Sequence, residues 1–102
     1  MFRIPDSKGE KNHNDTAIYI RDMNWLQSAD VVIAEVSTPS LGVGYELGIS
    51  EKMKKPILCL YKDNKNASLS AMVKGNNKLS CSVYHNLADA KSCIDTFLEN
   101  LI

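Results

Sequence analysis

The stretch Val31-Val-Ile-Ala-Glu-Val-Ser-Thr-Pro-Ser-Leu-Gly-Val-Gly-Tyr-Glu-Leu-Gly48 decides how this chain folds. Its first six residues form a nearly continuous β-branched run, the pattern of a strand covered on both faces. Thr38-Pro39-Ser40 breaks the run, because proline has no N–H to donate to a ladder and serine favours the start of a helix. From Leu41 to about Lys54 a helix is expected, with Leu41, Tyr45, Ile49 and Met53 as its core stripe and Glu46 at the border. Strand, tight turn and helix together open a β-α-β unit.

Working outward, the same alternation continues. Asp15 and Thr16 offer N-caps for a helix to about Ala29, with Ile18, Trp25, Leu26 and Ala29 on one stripe. Asp22 falls in the middle of that stripe, where a carboxylate must be paired, hydrogen-bonded or facing a cleft. Pro56–Tyr61 reads as a second buried strand. Ser68–Lys74 reads as a short helix stopped by Gly75, and Cys81–Tyr84 as a third strand. Leu87–Leu101 closes the chain as an amphipathic helix, with Leu87, Ala90, Ile94, Phe97 and Leu101 on one face. This order predicts an α/β fold with parallel strands and right-handed crossovers. Residues 1–14 read as a polar N-terminal arm or loop, ahead of a domain over 15–102.

The whole chain has 102 residues, 44% hydrophobic and 24% charged, with 12 Lys+Arg balancing 12 Asp+Glu. One ordinary globular domain fits that length and composition. Electroneutrality argues against a nonspecific nucleic-acid or anionic-membrane binder, since counterion release needs a basic surplus. Cys59, Cys81 and Cys93 cannot all pair within one chain, and none stands at C-x-x-C spacing, so no zinc or redox motif is indicated. Cys59 and Cys93 read as buried free thiols. No secretory signal or membrane-spanning run is apparent. A soluble protein of a reducing compartment, the cytoplasm or the nucleus, is the expectation.

Ligands of open α/β sheets bind beyond the carboxyl ends of the strands, which is where Glu35–Glu46 falls. Ser40 stands at a helix start, where unpaired N–H groups and the positive dipole end favour an anion. Gly42 and Gly44 remove side chains from the first turn, so a ligand can touch the backbone there. Glycine costs about 1 kcal/mol per helical position, and Gly42, Gly44 and Gly48 share one helix. Close helix–strand packing competes with ligand approach as the reason for them. Glu46, one turn beyond Gly42, faces whatever sits above that glycine; alone it would read as a solvated surface acid. Asp22 is a second carboxylate, though from periodicity alone a buried acid that caps a neighbouring loop or pairs with Lys or Arg is the better explanation of its position. Two carboxylates at a cleft are the usual equipment for breaking a glycosidic bond.

Other residues carry plainer readings. Glu35 is expected to make a supporting hydrogen bond, and Trp25 and Tyr45 to pack in the core. His85 lacks a partner acid at a recognisable spacing and reads as a surface residue, as does His13. Lys52, Lys54 and Lys55 complement the dipole of the helix they end. Asn66-Ala-Ser68 is a glycosylation sequon without meaning in a cytosolic chain.

Five segments carry a family resemblance: Asp22-Met-Asn-Trp-Leu26, Ala29-Asp-Val-Val-Ile-Ala-Glu-Val36, Pro39-Ser-Leu-Gly-Val-Gly-Tyr-Glu-Leu-Gly48, Lys55-Pro-Ile-Leu-Cys-Leu60 and Leu69-Ser-Ala-Met72. They resemble the 2′-deoxynucleoside 5′-phosphate N-hydrolases of the nucleoside 2-deoxyribosyltransferase superfamily, from about residue 17 to 75. The resemblance implies a Rossmann-like (flavodoxin-like) parallel sheet sandwiched by helices. It implies that Glu46 is the nucleophile, forming a 2-deoxyribosyl ester that water later hydrolyses, and that Asp22 assists departure of the base. Ser40 matches a serine that binds the 5′-phosphate, beside Gly42 and Gly44. Ser70, with Ala71 and Met72, matches a segment that completes the partner subunit's site in a homodimer. The implied substrate is a small deoxynucleotide, with no metal or organic cofactor. Within the superfamily, nucleoside transferases resemble this segment but carry an acid at the position of Ser40. A carboxylate repels a phosphate, whereas serine and helix N–H groups donate to it, so Ser40 favours nucleotides.

The family pattern begins with a strand, a Gly-Ser-rich loop, a helix and a second strand, a unit of ~30 residues or more that 1–14 does not match. That unit would supply the sheet's central strand, a tyrosine and an arginine of the site, and part of the phosphate cradle. The expectation is therefore a domain truncated at its N-terminus. Val31–Val36 would have no neighbour on one side, and the chain alone would hydrolyse deoxynucleotides poorly.

Overall fold

The computed structural model describes residues 1–3, 14–64 and 69–101. The readings made above for His13 and for the sequon at 66–68 fall outside them. The elements follow as β1 (Phe2–Arg3), α1 (Asp15–Ser28), β2 (Val32–Glu35), α2 (Leu41–Lys52), β3 (Ile57–Lys62), α3 (Ala71–Lys74), β4 (Ser80–Tyr84) and α4 (Leu87–Glu99). The strands lie side by side in the order β1-β2-β3-β4, every pair parallel. This is the expected α/β, Rossmann-like arrangement.

The expected open edge of β2 is occupied. Phe2 pairs with Ile33 and Arg3 with Ala34, and the Ile33 N–H donates to the Met1 carbonyl at 2.7 Å. Phe2 and Arg3, read above as part of a polar arm, are thus part of the sheet. Buried backbone groups need partners, and two residues of extended chain supply them here. A segment that short carries no periodicity by which a strand is recognised.

Val32, Ala34, Ile57 and Cys59 share one face of the sheet and form a single cluster with Leu26 of α1, Val43 and Leu47 of α2, and Leu79. Side chains alternate along a strand, so Leu58 and Leu60 point to the other face, toward α4, which packs on β4 and β3. All four of Ile57–Leu60 are buried, and β3 is covered on both faces. In β2 buried and half-buried residues alternate, so its second face is only partly covered, contrary to the reading of Val31–Val36.

Most of the expected stripe of α2 is turned away from the core, and only Ile49 of it packs against the buried cluster. Leu41 is 93% exposed, Tyr45 54% and Met53 39%, while Val43, Glu46, Leu47 and Ser50 are buried. Those four stand at i, i+3, i+4 and i+7, a complete helical face. Two of them are polar, which hid that face from hydropathy. Ser50 returns its hydroxyl to the Glu46 carbonyl at 2.7 Å, so its burial leaves no donor unpaired. Trp25 and Tyr45 are half exposed rather than core. On α4 no residue is fully buried and Leu87 stands in solvent; Cys93 is only partly buried.

The helix ends are capped by side chains. Asn14, rather than Asp15 or Thr16, accepts the Ala17 N–H at 2.7 Å. At the other end of α1, Lys55 Nζ donates to the carbonyls of Gln27 (3.1 Å) and Ala29 (2.6 Å). Lys55 therefore complements the dipole of α1 and not that of the helix before it.

Candidate active site

Three side chains from three elements meet at the carboxyl end of β1 and the first turns of α2. Arg3 Nε donates to both oxygens of Glu46, at 2.8 and 2.9 Å. Its Nη2 stands 3.4 Å from Asp22 Oδ2. Arg21 approaches the other oxygen of Asp22, with Nη2 at 3.1 Å and Nε at 3.2 Å. The two carboxylates expected to work together thus share one guanidinium, and the side chain of each is only 7% exposed. Glu46 reaches this place because α2 turns its 43/46/47/50 face inward, and Asp22 because it precedes Leu26 by one turn on the buried face of α1.

Burial raises the pKa of Glu46 above its ordinary 4.5; the hydrogen bond and charge of Arg3 oppose that rise, the charge of Asp22 adds to it, and Arg21 lowers it. Glu46 is therefore a carboxyl whose charge state depends on its neighbours.

The expected anion-binding residues gather on a second hollow. Ser40, Gly44, Ser70 and Met72 line a cavity of about 560 Å³ between α2 and α3, together with Thr38, Pro39, Val43, Leu47, Glu51, Val73, Asn76 and Leu79. Ser40 caps α2 by accepting the Val43 N–H at 3.2 Å, and Ser70 caps α3 by accepting the Met72 N–H at 3.2 Å. A capping hydroxyl accepts through its oxygen and can still donate its own hydrogen outward. Asn76 donates to Glu51 across the floor of this hollow. Ala71 is exposed at the start of α3. Neither Glu46 nor Asp22 lines this cavity.

Gly42 stands between the two places. A Cβ on it would lie 4.0 Å from both Glu46 Oε1 and Ser40 Oγ. The missing side chain therefore opens a path from carboxylate to cap hydroxyl. Among the described residues nothing lies within 4 Å of the Cβ positions of Gly44 and Gly48, so packing against those residues requires neither.

Glu35 makes the supporting contacts expected of it. It accepts from the Ser37 N–H and hydroxyl, both at 2.7 Å, and from the Tyr84 hydroxyl. His85 does have partner acids, against expectation: Nδ1 lies 2.8 Å from Asp89 and Nε2 3.3 Å from Asp63. Asp89 is one helical turn ahead of His85, a spacing that becomes visible once the start of α4 is known. Among the described residues no cluster of three or more His, Cys, Asp or Glu is placed to hold a metal ion, and no helix is long and apolar enough to cross a membrane.

Sequence reasoning missed Arg3 and Arg21. Arg3 lies in a segment too short and too polar overall to read as a strand. Arg21 adjoins Asp22 in sequence, and neighbouring residues on a helix do not ordinarily face each other; here the guanidinium folds back, resting 4.7 Å from the Trp25 ring centre.

Comparison with known proteins adds the following. The family model for nucleoside 2-deoxyribosyltransferase matches residues 3–97. A 5-hydroxymethyl-dUMP N-hydrolase of Rattus norvegicus is 57% identical over 61 residues, which is 60% of this chain and 37% of that protein. One of Branchiostoma floridae is 56% identical over 62 residues, 61% of this chain and 59% of that protein. A protein of Syntrophotalea carbinolica with the provisional name 2′-deoxynucleoside 5′-phosphate N-hydrolase 1 is 47% identical over 75 residues, 74% of this chain and 53% of its own length. The chain spans about half the length of the curated relatives it matches.

Proposed function

The chain belongs to the nucleoside 2-deoxyribosyltransferase family, and from that premise we propose that it hydrolyses the N-glycosidic bond of 2′-deoxynucleoside 5′-monophosphates. The products are the free base and 2-deoxyribose 5-phosphate. The observation that carries this reading is the burial of Glu46 and Asp22 on one guanidinium, one glycine away from a serine-capped helix start. The names of the relatives point to the same chemistry.

In this scheme the Glu46 carboxylate attacks C1′ while the bond from C1′ to the base nitrogen breaks and its electron pair leaves with the base. Asp22 aids that departure. Water then attacks C1′ of the glycosyl ester, releasing 2-deoxyribose 5-phosphate and restoring Glu46; two displacements retain configuration. Ser40, Ser70 and the N–H groups at the start of α2 receive the phosphate, with Gly42 and Gly44 leaving room for it. Two copies of the chain complete each other's sites through Ser70–Met72. Leu41 and Met72, 93% and 83% exposed beside the cavity, are the apolar surface a second copy would cover. The three free thiols suit the reducing cytoplasm or nucleus.

The test is direct. The 102-residue chain is incubated with dGMP and with 5-hydroxymethyl-dUMP, the substrate in its relatives' names, and base and sugar phosphate are quantified. Equal amounts of both products, formed at a low rate by this chain alone, with a 2-deoxyribosyl 5-phosphate adduct on Glu46 by mass spectrometry, are expected. A non-catalytic nucleotide-binding and dimerising role is the second reading, favoured by the absence of both acids from the large cavity wall; tight deoxynucleotide binding without base release would establish it. Transfer to an added second base would instead identify a transferase, a reading Ser40 opposes.

A further inference from the structure

The scheme above gives no task to the residue that joins its two acids. Arg3 is fixed by backbone pairing to Ala34, next to the central strands of the sheet. Its side chain, 22% exposed, contacts Glu46 on α2 and Asp22 on α1 at once. Two carboxylates withdrawn from water near each other are costly in charged form, from desolvation and from mutual repulsion. One guanidinium between them offsets both effects, and its planar fork fixes orientation as well as charge.

We propose that Arg3 is the positioning residue that keeps Glu46 ionised and aimed for attack, by bridging it to Asp22 from the edge strand. This rests on the reading of Glu46 as nucleophile. Glu46 Oε1, held by Arg3 Nε, is also the Glu46 oxygen that stands 4.0 Å from the Cβ position of Gly42, the side on which the sugar would lie in that reading. Among the described residues, the charged groups acting on Glu46 are Arg3 from β1 and Asp22 and Arg21 from α1. Of these, Arg3 provides the main force against burial. Without it the carboxyl takes up a proton more readily, and a protonated carboxyl is no nucleophile.

The experiment is a carbon-13 titration of the Glu46 side-chain carboxyl in the 102-residue chain, for wild type, Arg3→Gln and Arg3→Lys, with base release measured over the same pH range. In Arg3→Gln the Glu46 midpoint should rise by about one pH unit or more, a tenfold gain in proton affinity. The acid limb of the rate profile should rise by the same amount. Arg3→Lys, which keeps the charge and loses the fork, should fall between. Should Arg3→Gln not fold, the wild-type Arg3 Nε–H resonance decides: it must shift with the Glu46 titration. An unmoved Glu46 midpoint in a folded Arg3→Gln, or an Arg3 resonance indifferent to Glu46, overturns the proposal. Absence of base release from wild type, with the midpoints moving as stated, would overturn the hydrolase reading and leave the Arg3–Glu46 linkage standing.

Discussion

On one side of Gly42 the chain places charge with little room; on the other it places room with little charge. The acid side holds Arg3, Asp22, Glu46 and Arg21 in direct contact, each carboxylate nearly closed off from water. The cavity side is lined mostly by apolar residues, with Ser40 and Ser70 contributing capping hydroxyls. A molecule that uses both must itself be divided, with one end that reacts at a carboxylate and another that accepts hydrogen bonds. A sugar phosphate carrying a base has that division. Gly42 matters because it separates the two without filling the space between them.

The largest test of this contrast is on the acid side. Glu46→Gln keeps the shape of the side chain but removes the proposed nucleophile, and base release should fall by about 10³-fold or more. Mass spectrometry should find no sugar adduct at that position. Retention of more than a tenth of wild-type turnover would take Glu46 out of the mechanism.

Gly42→Ala probes the passage itself. The added methyl meets Glu46 Oε1 and Ser40 Oγ at 4.0 Å, an ordinary contact, so the fold should hold. Helix propensity should even add up to about 1 kcal/mol to stability. Turnover should nonetheless drop by about tenfold or more, because the methyl occupies the space over the carboxylate. A wild-type rate in Gly42→Ala would show that nothing passes over Gly42.

On the cavity side, Ser40→Ala should cost about 1 kcal/mol of stability through the lost cap. Ser40→Asp keeps a cap yet places a negative charge at the proposed phosphate site, so its KM for deoxynucleotides should rise about tenfold at near-wild-type melting temperature. An unchanged KM in Ser40→Asp would move the phosphate elsewhere.

The smallest effect separates the pH response of the acid side from that of the far end of the sheet. Hydrogen bonding to Asp89 raises the His85 pKa above 6.5, and His85 in turn lowers Asp89 below 3.8. The His85 contribution to stability is complete below pH 6.5 and disappears as pH rises through the elevated value. The Asp89 contribution is present above 3.8 and disappears as pH falls through the depressed value. Glu46, also raised, binds its proton more tightly when folded, so stability declines as pH climbs from 4.5 through its own elevated midpoint. Thermal melts of His85→Ala should lose the decline above pH 6.5 and keep the one that begins near 4.5. Loss of both would mean the two ends titrate together.

Much of this layout is legible in the amino acids. The run Val31–Val36, the break at Pro39 and the serine cap place strand, turn and helix within one or two residues of their observed ends. Asp22 was identifiable because a carboxylate in an apolar stripe needs a partner. What escaped was the inward face of α2, since Glu46 and Ser50 break its hydropathy while Leu41 and Tyr45 imitate a core. Arg3 escaped because two residues of edge strand are specified by the partner they pair with and not by their own pattern. The identity of Lys55 as a cap for α1 likewise depends on which chain ends meet, a fact of tertiary structure.

That last contact has a mechanical consequence. The Lys55 ammonium pins the trailing end of α1 to the chain just ahead of the central strand β3. Asp22 stands seven residues from Ala29, roughly 10 Å along the axis, whereas Asn14 is roughly 22 Å away. A rod clamped at one end swings least near its clamp. Asp22 thus rides on the quieter half of its helix, and the swing is left to the leading turn, where Asn14 and Asp15 stand in solvent.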